Sequence, residues 1–261
     1  MTGSALPHHS RTSRLLLALG LAALAVGPAV AVAAPAPPAT PLRDSALPAD
    51  ARADVRLERM KTWTRAALVA APAPALALAG LVHPSDLDAS TAHRWWTLHV
   101  VLLPVFPLLG GSVWLLLRGE RGPVPALARL AAYGFATFYT GLDLVAGLAA
   151  GLAYEQEGSL TPTVGRLFDV GNQLGAVGVW SLALSGVLAG VALRRRHGWR
   201  VLPGTLVLTA SCYPFLVNHI FHPRGVLSVL GIGAGLALIA VGAVDRDGGC
   251  PDRPVGAIIP G

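Results

Sequence analysis

Seven apolar runs of about 20 residues each, separated by short charged connections, constrain this chain more than any other feature, because an α-helix of that length just crosses a ~30 Å hydrocarbon core. The windows fall at roughly 15 to 34, 64 to 83, 97 to 117, 130 to 153, 170 to 193, 201 to 221 and 226 to 244. Composition agrees: 53% of residues are hydrophobic and 13% charged, against roughly a quarter charged in soluble domains. No stretch has the length and polarity of a separate soluble domain. The expectation is an all-α, polytopic transmembrane helix bundle with six core spans plus an N-terminal apolar segment of uncertain status.

The net charge of +6 and pI near 10.1 do not point to nucleic acid, because the basic residues sit at the ends of apolar runs, where they set membrane orientation. The partner expected is the lipid bilayer, with a membrane protein or a second copy of the chain as further candidates. Lys61 is the only lysine, and arginine supplies every other basic residue. Together with abundant Ala, Gly and Pro, this usage reads as high-GC bacterial coding and a bacterial inner membrane. Cys212 and Cys250 are too few for a disulfide framework or a cysteine metal site.

Orientation follows from the loops. Arg56, Arg59, Lys61 and Arg65 precede the second window, Arg118, Arg121 and Arg129 follow the third, Arg194, Arg195, Arg196 and Arg200 follow the fifth, and Arg246 and Arg253 follow the last. The alternate loops carry only Arg94, Arg166 and Arg224. The positive-inside rule therefore places residues 118–129, 194–200 and the C-terminal tail in the cytoplasm, with Trp95 and Trp96 in an outer aromatic belt.

The first window breaks this alternation, since Arg11 and Arg14 precede it while the cluster from Arg56 to Arg65 also favours the inside. Three readings are open: a cleaved signal peptide ending at residues 31–34, a true first span, or a chain that natively starts at Met60. The last is preferred because Met60 is the only internal methionine and residues 35–59 read as a Pro-, Ala- and Arg-rich linker without periodicity. The expected organisation is thus an N-terminal extension over 1–59, a bundle over 60–247 and a disordered tail over 248–261.

Small residues let helices approach closely in lipid, and Gly147 with Gly151, Gly171 with Gly175, Gly186 with Gly190 and Gly231 with Gly235 have that spacing. Ala136, Thr140, Asp143, Gly147 and Ala150 form a narrow face that should turn inward and keep Asp143 out of lipid.

Ionisable groups inside a bilayer are costly, so His99, Asp143 and His219 are the first places to look for function. His99 and His219 lie at matched depth, about one turn from the outer surface, and can serve as haem axial ligands or, with a carboxylate, as ligands to a divalent metal. The candidate haem pair is His99 and His219; the candidate metal set is His99, Asp143, His219 and His222. His83, His93, Asn172, Gln173 and Asn218 complete a polar outer mouth. His83 and His222 each precede a proline, which places them at helix-to-loop joints.

Histidines concentrated on one side argue against electron transfer across the membrane. Asp143 reads as a metal ligand, as a proton or cation carrier, or as a neutral group hydrogen-bonded to Tyr139 or Thr140. His219-x-x-His222 is one residue shorter than the H-x-x-x-H of the alkaline ceramidase and haemolysin III group, and nothing is carried over from that group. No G-x-x-x-x-G-K, G-x-S-x-G or C-x-x-C occurs. The leading reading is a non-enzymatic membrane component whose mouth binds a partner or small ligand. The alternatives are a metal- or haem-dependent membrane enzyme and a transporter that uses Asp143.

Overall fold

The structure, a computed structural model, describes residues 49–244. The apolar window at 15–34, the signal-like ending and the tail lie outside the described residues, so the readings made of them are untouched. Among the described residues there is no strand. The helices are α1 Ala49–Ala70, α2 Pro72–Val82, α3 Ala92–Leu102, α4 Phe106–Leu116, α5 Pro123–Leu142, a π-helical turn Asp143–Ala149, α6 Ala150–Glu157, α7 Pro162–His197, a 3-10 turn Gly198–Val201, α8 Leu202–Asn218 and α9 Arg224–Gly242.

Proline and glycine punctuate this series. Pro72, Pro123 and Pro162 open α2, α5 and α7, where a missing N–H costs no intrahelical bond. Gly158 ends α6 with φ 71°, and Gly198 ends α7 with φ 67°, conformations that a Cβ disfavours. Residues 49–59, read above as part of a linker, are the opening turns of α1; their run of Ala, Arg, Leu and Glu has high intrinsic helix propensity, which a search for apolar periodicity does not register.

Among the described residues five helical segments, not six, are long and apolar enough to cross a membrane: Met60–Val82, Ala92–Leu116, Pro123–Glu157, Pro162–Asn218 and Arg224–Gly242. The difference lies in Pro162–Asn218, whose 57 residues unite the windows 170–193 and 201–221. Its helical course continues through the 3-10 turn, and its two arms, α7 and α8, then lie against each other. A Cβ on Gly186 would sit 2.6 Å from Leu208, and one on Gly190 would press on Thr205.

The other glycine pairs also mark close approaches. Gly147 meets His99, and Gly151 meets Trp95 and Trp96; Gly171 meets Ala146, and Gly175 meets Leu142; Gly231 meets Ser211, and Gly235 meets Leu208. Inside the bundle, Leu76, Phe106, Leu109, Phe135, Leu182, Phe215 and Ile232 are fully buried. A smaller cluster of Ala92, Ala150, Tyr154 and Val164 packs at the histidine-bearing end.

Candidate metal centre

Four polar side chains from four separate helical runs meet at one end of the bundle. His83 follows the last residue of α2 in an extended conformation, φ −70° and ψ 129°, as Pro84 requires of its predecessor. His99 lies in the last turn of α3, and Asp143 is the first residue of the π turn. His219 terminates α8 with φ 48° and ψ −130°, a region that non-glycine residues enter only when the surroundings hold them there.

Each imidazole is fixed through Nδ1. In His83 this atom is 2.7 Å from the Pro84 carbonyl, and in His99 it is 2.7 Å from the Trp95 carbonyl. A carbonyl only accepts, so both Nδ1 atoms donate and both Nε2 atoms carry a lone pair when the ring is neutral. His219 Nδ1 is 2.7 Å from the Tyr139 hydroxyl, which can donate or accept.

One nitrogen from each of His83, His99 and His219 lies within 4.8 Å of those of the other two. His99 Nε2 is 3.8 Å from Asp143 Oδ1. His83 Nε2, His219 Nε2 and both Asp143 oxygens are buried without a hydrogen-bond partner. Asp143 is 0% exposed and His99 2%. A buried carboxylate with no hydrogen-bond partner, beside two imidazoles whose Nε2 atoms are also unanswered, is costly unless a cation or a proton completes it.

Aromatic rings close the site. Trp95 and Phe221 stand 4.9 and 4.8 Å from the His83 ring, and Phe106 and Tyr139 stand 5.4 and 5.8 Å from His219. Trp95, assigned from sequence to the outer belt, is 6% exposed, and its Nε1 donates to the Ala146 carbonyl across 3.3 Å. It is a wall of the site because an indole whose N–H finds an internal acceptor can be buried whole.

Of the residues singled out in the sequence, His99, Asp143 and His219 come together, and His83 joins them from the outer-mouth set. His222 is exposed and outside the cluster; Pro223 ends its segment beyond the turn that carries His219 inward. His93 is exposed and bonds Glu155 across 3.0 Å, while Asn172 and Gln173 are exposed on α7. Asn218 is half-buried and turns back to the Pro214 carbonyl. The Asp143 carboxyl has no hydrogen bond to the side chain of Tyr139 or Thr140: the first hydroxyl bonds His219, and the second returns to Ala136.

Sequence reasoning missed Tyr139 as a support for His219 and underrated His83, whose only signal was its place before Pro84 at a span end. His99 and His219 are nearly parallel, 9° apart with centroids separated by 6.2 Å, but His83 stands 5.0 and 5.8 Å from them. A macrocycle between that pair would overlap the His83 ring. No protein-family model matches the chain, and searches of curated proteins and of solved structures returned no match.

Proposed function

We propose that this integral membrane protein binds a divalent first-row transition metal, with zinc as the reference case, through His83, His99, His219 and Asp143. The observation that carries the reading is the convergence of one nitrogen from each of three imidazoles beside a buried carboxylate, with no hydrogen bond to either Asp143 oxygen or to Nε2 of His83 and His219. Imidazole nitrogen at about 2.0–2.1 Å and carboxylate oxygen at about 2.0–2.2 Å would put ligand atoms about 3.3–3.5 Å apart in a tetrahedral site. The 3.8 Å between His99 and Asp143 is near that edge, and binding draws His83 and His219 inward. A dication also supplies the charge that a carboxylate in an apolar enclosure needs. The Pro84 and Trp95 carbonyls hold two ligands in the tautomer that exposes Nε2.

On this reading the small ligand of the polar mouth is the metal ion itself, and no catalytic step is assigned. The distribution of arginines supports six crossings, with α7 and α8 as separate spans, residues 84–91 and the metal centre on the outer side, and the C-terminus in the cytoplasm of a bacterial inner membrane.

The test is elemental analysis and an optical spectrum of the purified protein, with His99→Ala and His219→Ala alongside. One equivalent of metal, lost in both variants, is expected. After cobalt substitution, visible bands of tetrahedral intensity should follow the same pattern. A Soret band would replace this reading with haem binding, and a folded protein that takes up no metal would end it.

A further inference from the structure

At the end of the bundle opposite the histidines, Leu57, Met60, Lys61, Thr64, Arg65 and Leu68 of α1 face Leu115 and Arg118 across a cavity of about 520 Å³. Among the described residues its lining holds three cations, Lys61, Arg65 and Arg118. Arg65 is half-buried and donates from one guanidinium nitrogen to the Leu116 carbonyl at 2.7 Å, which anchors the side chain in the cavity wall and leaves its other donors unused by that bond. Arg118 is exposed just beyond the end of α4.

The cavity also sits at a defined depth. Trp63 and Trp114 are 39% and 50% exposed on the two helices that form it, and indoles on a lipid-facing surface mark the headgroup level. Leu68 lies seven residues along α1 from Lys61, about 10 Å deeper at the helical rise, where acyl chains begin.

We infer that this cavity is a binding site for an anionic phospholipid, with the phosphate held by Lys61, Arg65 and Arg118 and the upper acyl chain lying along Leu68 and Leu115. Charge complementarity selects the ligand: three cations beside an apolar wall fit a phosphodiester bearing net negative charge, and a zwitterionic choline headgroup would bring its own cation against them. The site is independent of the metal centre, which lies at the other end of the same spans.

The experiment uses the full chain, delipidated in neutral detergent, with thermal unfolding followed as phosphatidylglycerol, phosphatidylcholine or inorganic phosphate is titrated in. Native mass spectrometry counts the lipids retained. A saturable rise in unfolding temperature with phosphatidylglycerol is expected, with little from phosphatidylcholine. Each basic contact near a membrane surface is worth about fivefold in affinity, so Lys61→Gln with Arg118→Gln should weaken binding roughly 30-fold. Arg195→Gln with Arg200→Gln, which removes the same charge elsewhere at this end, should leave binding intact. Arg118→Lys keeps the charge and tests the site if the glutamine pair fails to fold. Equal stabilisation by phosphatidylcholine, equal loss in both glutamine pairs, or saturation by inorganic phosphate alone would each overturn the proposal.

Discussion

Tyr139 is fully enclosed, yet its hydroxyl is spent on His219 rather than on the nearby carboxylate. It acts through that imidazole and fixes the ring's orientation, so Tyr139→Phe should leave the fold intact and lower metal affinity by roughly 10- to 100-fold, the usual effect of removing a partner behind a ligand. Competition with a chromogenic chelator reads this directly, and unchanged affinity would reduce Tyr139 to packing. His219 offers a second contrast. Its φ of 48° suits glycine, so metal-free His219→Gly should be more stable than metal-free His219→Ala by about 1–3 kcal/mol if the full backbone strain is relieved, read as a higher unfolding temperature. An equal pair would mean that the backbone there is relaxed.

At the scale of elements, the close approach of α3 to the π turn decides whether the site exists. Gly147 has no side chain to separate its backbone from the His99 ring, and a methyl group there would overlap that ring. Gly147→Ala should therefore cost about 1–3 kcal/mol of stability through overpacking and abolish metal binding together. Retention of metal at full stoichiometry would show that α3 can move without losing its ligand. The start of α3 is organised by a reciprocal cap: Asp88 N–H donates to Thr91 Oγ1 at 2.8 Å, while the Asp88 carboxylate accepts from the Ser90 and Thr91 amides at 2.8 and 2.9 Å. Hydrogen bonds from Ser90 and then Thr91 hold this carboxyl below its usual range. Because its folded pKa is depressed, the stabilisation is present above the ordinary value of about 3.9 and is lost as pH falls through the folded value. The difference in unfolding temperature between the protein and Asp88→Asn should be constant at neutral pH and shrink in acid. A gap independent of pH would remove the carboxylate from the account.

Across the whole molecule, the four proposed ligands come from the ends or interiors of Met60–Val82, Ala92–Leu116, Pro123–Glu157 and Pro162–Asn218. A metal bound there ties four of the five apolar segments together at one end. Binding to the folded state alone adds about 2.7 kcal/mol at a free concentration 100 times Kd, so chelation should lower the unfolding temperature reversibly. His99→Ala should be indifferent to the chelator, and a chelator effect of equal size in that variant would disconnect stability from this site. Charge is also distributed by end: the basic groups around the lipid cavity are opposite the loop that holds Asp86 and Asp88. Cysteines placed at Asp86 and Arg195 should label from opposite sides of a sealed vesicle, and labelling from the same side would overturn the proposed orientation.

What the sequence by itself determined about this protein was the helical, membrane-embedded class and the inward face of the apolar run at 130–153. Both rest on local rules: run length against bilayer thickness, small residues at helical spacing, and the cost of a carboxylate in hydrocarbon. The same rules singled out His99, Asp143 and His219. Only the tertiary structure decided that His83 belongs with them, that His222 faces away, that Trp95 is a wall, and that two windows form one bent run. Those outcomes depend on how separate helices cross, on the backbone reversal at His219 and on a π turn that opens at Asp143. A window of one helix carries no information about the atoms of another, and the proposed metal centre consists of nothing else.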